Sequence, residues 1–178
     1  LTLADAYRLR KEINPALMLG GVAIPERHQK HHNEHIRVIN KISEGCDFFV
    51  TQAVYNVEAS KNFISEYYYY AKEHNLDLKP LIFTITPCGS PKTLEFMKWL
   101  GISIPKWLEN ELLQSNDILE TSVIECVKIF KELKSFCAEK GIPVGCNIES
   151  VAIRKAEIEA SIDLVNQIYS MFNDSTTN

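Results

Sequence analysis

The chain has 178 residues, 46% of them hydrophobic, and a formal net charge of −4 from 23 acidic and 19 basic residues. This length and composition suit one globular core and exclude a disordered chain, and we expect residues 1–178 to form a single domain. The charges are interspersed, and no run approaches the roughly 18 apolar residues of a membrane span, so neither nucleic acid nor a membrane is an expected partner.

A helix over residues 2–13 is the first predicted element, and four short apolar runs farther along predict strands. Turn residues bound each run, and the runs are nearly continuous in apolar character. That pattern is typical of parallel strands covered on both faces. The four predicted strands are residues 16–23, 47–54, 79–85 and 142–148.

Segments with helical periodicity separate the predicted strands. Ser90 with Pro91, and Asp117 with Glu120, are typical starts of helices. Residues 104–113 predict a short extra helix before the longest one. In that longest helix one apolar stripe is formed by Leu119, Val123, Cys126, Phe130, Leu133 and Cys137. The chain therefore alternates helices and strands.

Repeated βα units fit either an open doubly wound sheet or a closed (β/α)8 barrel, and periodicity does not choose between them. Both architectures carry functional groups beyond the carboxyl ends of the strands. A whole barrel needs roughly 250 residues. Because the chain is shorter and already looks helical at its start, we expect it to be part of a longer protein.

Polar residues follow the first two predicted strands. Pro25 begins a turn that presents Glu26, Arg27 and His28, which indicates a ligand rim or, alternatively, a solvated loop. Gln52 ends the second strand. Its amide both donates and accepts hydrogen bonds, which suits the edge of a pterin or flavin ring, whereas the alternative is a bond to neighbouring loop backbone.

Two groupings could hold a metal ion, although a structural role is favoured for each. His31 and His35 have the i, i+4 spacing of a helical metal site, but their neighbours are typical of a solvated helix face. Cys88 and Cys146 end neighbouring strands and, with His28, could form a zinc site that activates a thiol for methyl transfer. We therefore predict no metal.

The sequence contains five cysteines and no C-x-x-C pair. An odd number without such pairs argues against a disulfide framework and favours a reducing, cytoplasmic location. Cys126 and Cys137 lie on the apolar stripe of the longest helix, where we expect them to be core residues.

Several motifs together resemble methylenetetrahydrofolate reductases. Residues 22–28 read V-A-I-P-E-R-H, a helix with Lys41 follows, and residues 45–52 read G-C-D-F-F-V-T-Q. The family pattern is a strand ending in aromatic-P-E-x-H, a helix closing on K-x-x-x-G-A-D, and a strand ending in I-T-Q. The resemblance extends through residues 82–87, 104–108 and 139–143, and so covers nearly the whole chain.

The resemblance implies a (β/α)8 TIM barrel, of which this chain would supply the fifth to eighth strands. It implies a reaction in which FAD receives a hydride from NAD(P)H or from another donor. The reduced FAD would then convert 5,10-methylenetetrahydrofolate to 5-methyltetrahydrofolate, a step of one-carbon metabolism and methionine biosynthesis. The principal acidic catalysts would lie in the N-terminal half, so we expect the fragment alone to be inactive. A homo-oligomer or a reductase partner subunit is also implied.

The resemblance also assigns residues to ligands. Gln52 matches a folate contact, and Arg154 is a candidate for the family's arginine after the last strand. Positions that match flavin contacts are Ala23, Ile24, His28, Glu34 and Lys41. Ile24 replaces an aromatic residue, and the last strand lacks the family's Y-T-L-N-R exit. These departures indicate a divergent subfamily and leave two alternatives, a zinc-dependent methyltransferase barrel and a non-catalytic folate-binding partner subunit.

Overall fold

The computed structural model describes residues 2–173, which fold into an alternating α/β chain. The four predicted strands are present. The elements in chain order are α1 (Leu3–Ile13), β1 (Gly20–Ala23), α2 (Pro25–His31), α3 (Glu34–Ser43), β2 (Phe48–Ala53), α4 (Val57–Glu73), β3 (Leu81–Ile85), α5 (Pro91–Trp99), α6 (Lys106–Gln114), α7 (Ile118–Ala138), β4 (Val144–Ile148) and α8 (Lys155–Asn173). Residues 1 and 174–178 of the predicted domain lie outside the described residues.

The first strand is shorter than predicted because a turn occupies its expected start. Asn14 ends α1, and its side-chain oxygen and its carbonyl accept hydrogen bonds from the N–H groups of Ala16 and Leu17. These bonds hold the backbone in a turn, so β1 begins only at Gly20.

The predicted start of α5 is confirmed, since the Ser90 hydroxyl accepts from the Thr93 N–H and Pro91 follows.

All strand pairings are parallel, and the sheet order is β1-β2-β3-β4. Each strand thus pairs with the next strand in the chain, and the connecting helices make the crossovers that parallel strands require. Val22, Val50, Ile82 and Gly145 lie at one level across the sheet. This arrangement is consistent with part of a (β/α)8 barrel.

The helices of the described chain cover only one face of this sheet. Ala23, Phe49 and Phe83 point into the core and are fully buried, whereas Val22 on the opposite face is 55% exposed. Burial in β2 alternates strictly between half-buried and buried residues. Within residues 2–173 one of the two faces is covered, and the apolar character of the other face fits a sheet that awaits another covering surface.

Gly20 and Gly21 let the two phenylalanine rings of β2 lie directly on β1. A Cβ atom would lie 2.6 Å from the Phe48 ring at Gly20 and 2.6 Å from the Phe49 ring at Gly21. Because side chains alternate along a strand, the two rings lie on opposite faces of the sheet. The close approach that the glycines allow is thus made by side chains of the neighbouring strand β2.

A buried polar network anchors the loops after β2 and β3 to α7. The Tyr55 hydroxyl donates to the Thr86 carbonyl at 2.6 Å, and its oxygen lies 3.1 Å from the Ser122 hydroxyl oxygen. The Cys88 N–H donates to the Ser122 oxygen at 2.7 Å. These bonds fix the positions of the strand ends, where functional groups are expected.

None of the helices between residues 2 and 173 is both long and apolar enough to cross a membrane.

Replacing Ser122 by alanine should lower the free energy of unfolding by about 2 kcal/mol, because the buried Cys88 N–H would lose its acceptor. Urea denaturation measures this change. The matched control is Ser43→Ala, whose exposed hydroxyl bonds only its own helix end and whose loss should cost under about 0.5 kcal/mol. Equal effects of the two substitutions would contradict the proposed anchoring role.

Candidate functional site

A cleft of about 600 Å³ lies at the carboxyl ends of β1 and β2, and we call it the Gln52 cleft. The chain passes directly from β1 through Ile24 into α2, and Pro25 suits the first position of that helix. The loop after α5 forms the opposite wall. The lining residues are Ile24, Glu26, Arg27, Gln29, Lys30, His31, Gln52, Lys98, Leu100, Gly101, Ile102 and Ser103.

Gln52 lies on the uncovered face of the sheet, beside a register shift between Val50 and Ala53. Such an irregularity re-aims side chains at a strand end. The Gln52 amide nitrogen donates to the Leu100 carbonyl at 3.2 Å. The amide oxygen has no donor in the part of the chain that the structure describes. Gln52 therefore bonds loop backbone through one end of its amide and can accept a hydrogen bond from a ligand at the other.

Glu26 lines the same cleft, yet its side chain is buried, with only 7% of the residue exposed. Neither carboxyl oxygen has a hydrogen-bond partner among residues 2–173. Burial raises the pKa of this carboxyl group to about 7, because the charged form is poorly solvated there. Sequence reasoning placed Glu26 on the rim without giving it a role. The glutamate of the P-E-x-H pattern was the signal that could have found it.

Three cationic side chains border the cleft. Lys98 is paired with Glu95 at 3.1 Å and with Glu109 at 2.9 Å. Arg27 lies 3.4 Å from a Glu34 oxygen. Lys30 is exposed on the rim. The rim can therefore attract an anionic group, while the cleft offers the Gln52 amide.

Of the five predicted flavin contacts, the side chains of Ala23, His28 and Glu34 are buried. Glu34 secures the end of β1, because one of its oxygens accepts the Ile24 N–H at 3.0 Å and the other pairs with Arg27. Ile24 is half-buried and lines the Gln52 cleft. The structure thus places Ile24 and Gln52 in one cleft, whereas Ala23, His28 and Glu34 do not line it.

Lys41 lies on α3 and reaches the outer edge of β1. Its ammonium group donates to the Val22 carbonyl at 2.5 Å, on the side of β1 that has no neighbouring strand among residues 2–173. Partial burial lowers the pKa of Lys41, and the nearby Glu34 carboxylate opposes that change. The lysine thus satisfies a backbone carbonyl at the edge of β1.

His28 packs inside a cluster of aromatic rings between α2, α3 and α4. Its ring centre lies 5.3 Å from that of His35 and 6.3 Å from that of Phe63. Burial lowers the pKa of His28, and the neighbouring His35 lowers it further. The nitrogen Nδ1 has no hydrogen-bond partner among the described residues. His28 is thus a neutral packing residue here and does not line the cleft.

The prediction that His31 and His35 lie one turn apart on the same helix is wrong. His31 ends α2, His35 belongs to α3, and His32 between them has a left-handed backbone with φ of 48°. This turn leaves His31 exposed and His35 buried, so the two rings do not share a face.

Arg154 lies in a different cleft, of about 840 Å³, between the loops after β3 and β4. Its guanidinium group donates to the Gly89 carbonyl at 3.4 Å and lies 3.7 Å from the Glu157 carboxylate. Glu157 in turn accepts the Gly89 N–H at 2.8 Å and the Thr93 hydroxyl at 2.7 Å. We call this second site the Arg154 cleft; Gln52 does not line it.

Cys88 and Cys146, the candidates for a zinc site, are poor ligands in this setting. Burial raises the pKa of Cys88 to about 11 and that of Cys146 to about 12, so both thiols hold their protons near neutral pH. No group of three or more metal-ligating side chains occurs within residues 2–173. His28, the suggested third ligand, belongs to the separate ring cluster.

The methylenetetrahydrofolate reductase family model matches residues 6–144, and the chain therefore belongs to that family. A comparison with curated proteins gives no match. Among solved structures, the chain is similar to an uncharacterized protein from Clostridium thermocellum that binds two copies of 5-methyl-5,6,7,8-tetrahydrofolic acid. The two are 64% identical with a TM-score of 0.89, and the match covers 96% of this chain and 60% of that chain. The family resemblance of the sequence is thus confirmed.

Proposed function

We propose that the protein binds a reduced folate, 5-methyltetrahydrofolate or its 5,10-methylene precursor, in the Gln52 cleft. The observation that carries this proposal is the Gln52 amide, whose oxygen can accept a hydrogen bond in a cleft of about 600 Å³. A pterin ring presents hydrogen-bond donors along its edge, and the amide oxygen can accept from one of them. The cationic rim suits the glutamate tail of a folate.

The Arg154 cleft is the proposed place for a second folate molecule. Phe96 and Arg154 line it together with Lys92. An aromatic side chain can stack on a pterin or benzoyl ring, and the two cations can pair with carboxylates. This assignment keeps the substrate-binding role predicted for Arg154, and the binding of two copies by the 64% identical structure supports it.

At a finer level we propose that the full-length protein is a flavin-dependent methylenetetrahydrofolate reductase whose barrel takes its fifth to eighth strands from this chain. The uncovered face of the sheet supports this, because four further strands would cover Val22 and Val50. FAD, when bound, would supply hydride transfer to the folate. NAD(P)H or another donor would supply the electrons.

The described residues fit a flavin only in part. Ile24 lines the cleft and can pack on an aromatic ring, and Lys41 can pair with a phosphate group if it leaves the Val22 carbonyl. The side chains of Ala23, His28 and Glu34 are buried, and flavin contact at these three positions stays a prediction. The side-chain contacts that we propose first are those of Ile24 and Lys41.

A non-catalytic folate-binding subunit is the second candidate, favoured by this partial fit. The test is the absorption spectrum of the purified full-length protein, followed by reduction of methylenetetrahydrofolate with NAD(P)H or a dye donor. Bound flavin with turnover supports the reductase, whereas folate binding without either supports the subunit. A cytoplasmic location and association with further copies or a reductase partner stay predictions.

Replacing Gln52 by alanine should weaken binding of 5-methyltetrahydrofolate about tenfold, because a hydrogen bond to the ligand is worth on the order of 1.4 kcal/mol. Calorimetric titration of the full-length protein measures this affinity. If two molecules bind, only one class of site should weaken. The control is Gln114→Ala at the exposed end of α6. Unchanged affinity in the Gln52 variant would contradict the proposed site.

A further inference from the structure

A row of polar side chains crosses the uncovered face of the sheet at the carboxyl ends of β2, β3 and β4. Gln52, Thr84 and Asn147 belong to these strands, and Glu149 follows directly after β4. Cys146 lies against α8 on the covered face. Because side chains alternate along a strand, the next residue, Asn147, faces the uncovered side. We call these four residues the acceptor row.

Asn147 connects the members of the acceptor row. Its amide nitrogen donates to the Thr84 hydroxyl oxygen at 3.1 Å and to a Glu149 carboxyl oxygen at 2.8 Å. A carboxylate only accepts hydrogen bonds, so the Asn147 nitrogen has to face Glu149 and the amide oxygen points elsewhere. Thr84 is only 2% exposed, whereas Asn147 is half-buried and Glu149 is exposed. A buried hydroxyl group therefore anchors the row, and an accessible carboxylate ends it.

The accessible part of the row consists of hydrogen-bond acceptors. Within residues 2–173 no donor reaches the Gln52 amide oxygen, the Asn147 amide oxygen or the second carboxyl oxygen of Glu149. Neighbouring strands lie about 4.8 Å apart, so roughly 10 Å separates β2 from β4. A bicyclic ring that contacts Gln52 and lies across β3 can therefore extend toward Glu149. The missing hydrogen-bond donors have to come from the group that lies on this face.

We propose that Glu149 is a recognition residue that accepts hydrogen bonds from N–H groups of the reduced pterin, and that Asn147 positions it. This inference rests on the proposed binding of a reduced folate beside Gln52. A tetrahydropterin carries a 2-amino group and N–H groups at N3 and N8, which are the donors that the row lacks. Hydrogen bonds to a carboxylate are stronger than those to a neutral acceptor. The bond from Asn147 orders the carboxylate before the ligand arrives, which reduces the entropy lost on binding.

This role is a feature of the present chain and is not carried over from the family pattern. Asn147 and Glu149 lie in the segment C-N-I-E-S-V-A-I-R of residues 146–154, which lacks the Y-T-L-N-R exit. The segment in which the chain departs from its family thus supplies both the carboxylate and the amide that orients it.

The test is calorimetric titration of the full-length protein with 5-methyltetrahydrofolate. Glu149→Gln should bind about tenfold more weakly, because a glutamine whose oxygen accepts from Asn147 turns its own amino group toward the N–H donors of the pterin. The melting temperature should stay at the wild-type value, since Glu149 is exposed. The matched control is Glu111→Gln, at an exposed position on α6 outside both clefts, which should bind as the wild type does.

A double-mutant cycle tests the positioning role of Asn147. Asn147→Ala should weaken binding about fivefold, and adding it to Glu149→Gln should cause little further loss, because Asn147 acts through the carboxylate. Independent losses in the double variant would overturn the positioning role. If Asn147→Ala does not fold, Glu149→Gln decides the inference alone.

Wild-type affinity in Glu149→Gln would overturn the inference. If Gln52→Ala weakens binding and Glu149→Gln does not, the proposed function stands and the role of Glu149 alone fails. If the wild-type protein binds no 5-methyltetrahydrofolate, the proposed function fails and the role of Glu149 fails with it. That outcome is distinguishable because it appears before any variant is compared.

Discussion

Replacing Gly89 by alanine should lower the free energy of unfolding by about 3 kcal/mol, the upper part of the range for overpacking a filled site. A Cβ atom at this position would lie 2.4 Å from Cγ and 2.6 Å from Cδ of Glu157. Glu157 is buried and cannot move aside without losing its bonds to the Gly89 N–H and the Thr93 hydroxyl. The substitution should therefore separate the loop after β3 from the start of α8.

Denaturant unfolding of the Gly89→Ala, Glu157→Ala and double variants measures this effect as a double-mutant cycle. Shortening Glu157 removes the atoms that the new methyl group would meet, so the double variant should be about as stable as Glu157→Ala alone. Strictly additive losses would show that Gly89 is required for a reason other than its contact with Glu157.

Glu26→Gln should stabilise the protein by about 3 kcal/mol at about pH 8. The pKa of Glu26 is raised from 4.5 to about 7 in the folded protein, and that difference corresponds to about 3 kcal/mol. Below about pH 4.5 the carboxyl group is protonated in both states, so wild type and variant should be equally stable. As the pH rises to about 7, the unfolded chain releases the proton first and the wild type loses stability.

Urea denaturation between about pH 4 and pH 8 checks this prediction. The difference between Glu26→Gln and wild type should grow with pH and level off above about pH 7. The control is Glu125→Gln, a change on α7 that should follow the wild-type profile. A Glu26→Gln variant that is less stable than the wild type at about pH 8 would contradict the prediction.

The sequence predicted the order and type of the elements well, because periodicity and capping are local properties. The predicted start of β1 at residue 16 was wrong. A turn held by Asn14 replaces the first part of the predicted strand, residues 16–19. Which sheet face the helices cover could not be read from the sequence either. Strands covered on one side and on both sides look alike when both faces carry Val, Ile and Phe, so only the packed chain distinguishes them.

Prediction of the candidate site was less complete, because it depends on which way side chains turn after each strand. Gln52 and Ile24 meet in one cleft as the resemblance implied. Glu34 matches the family by position, yet it turns inward to hold the Ile24 N–H. The missing partner of Glu26 is invisible in a sequence, since it follows from burial and from the absence of nearby donors.

Sheet formation within residues 2–173 pairs neighbours in chain order. The strands β1 to β4 pair in the order of synthesis, with one or more helices between each strand and the next. Short sequence separations between contacting segments reduce the entropy lost when loops close and are associated with fast folding. The units can add one after another as the polypeptide leaves the ribosome, so that each new strand joins an edge that has already formed.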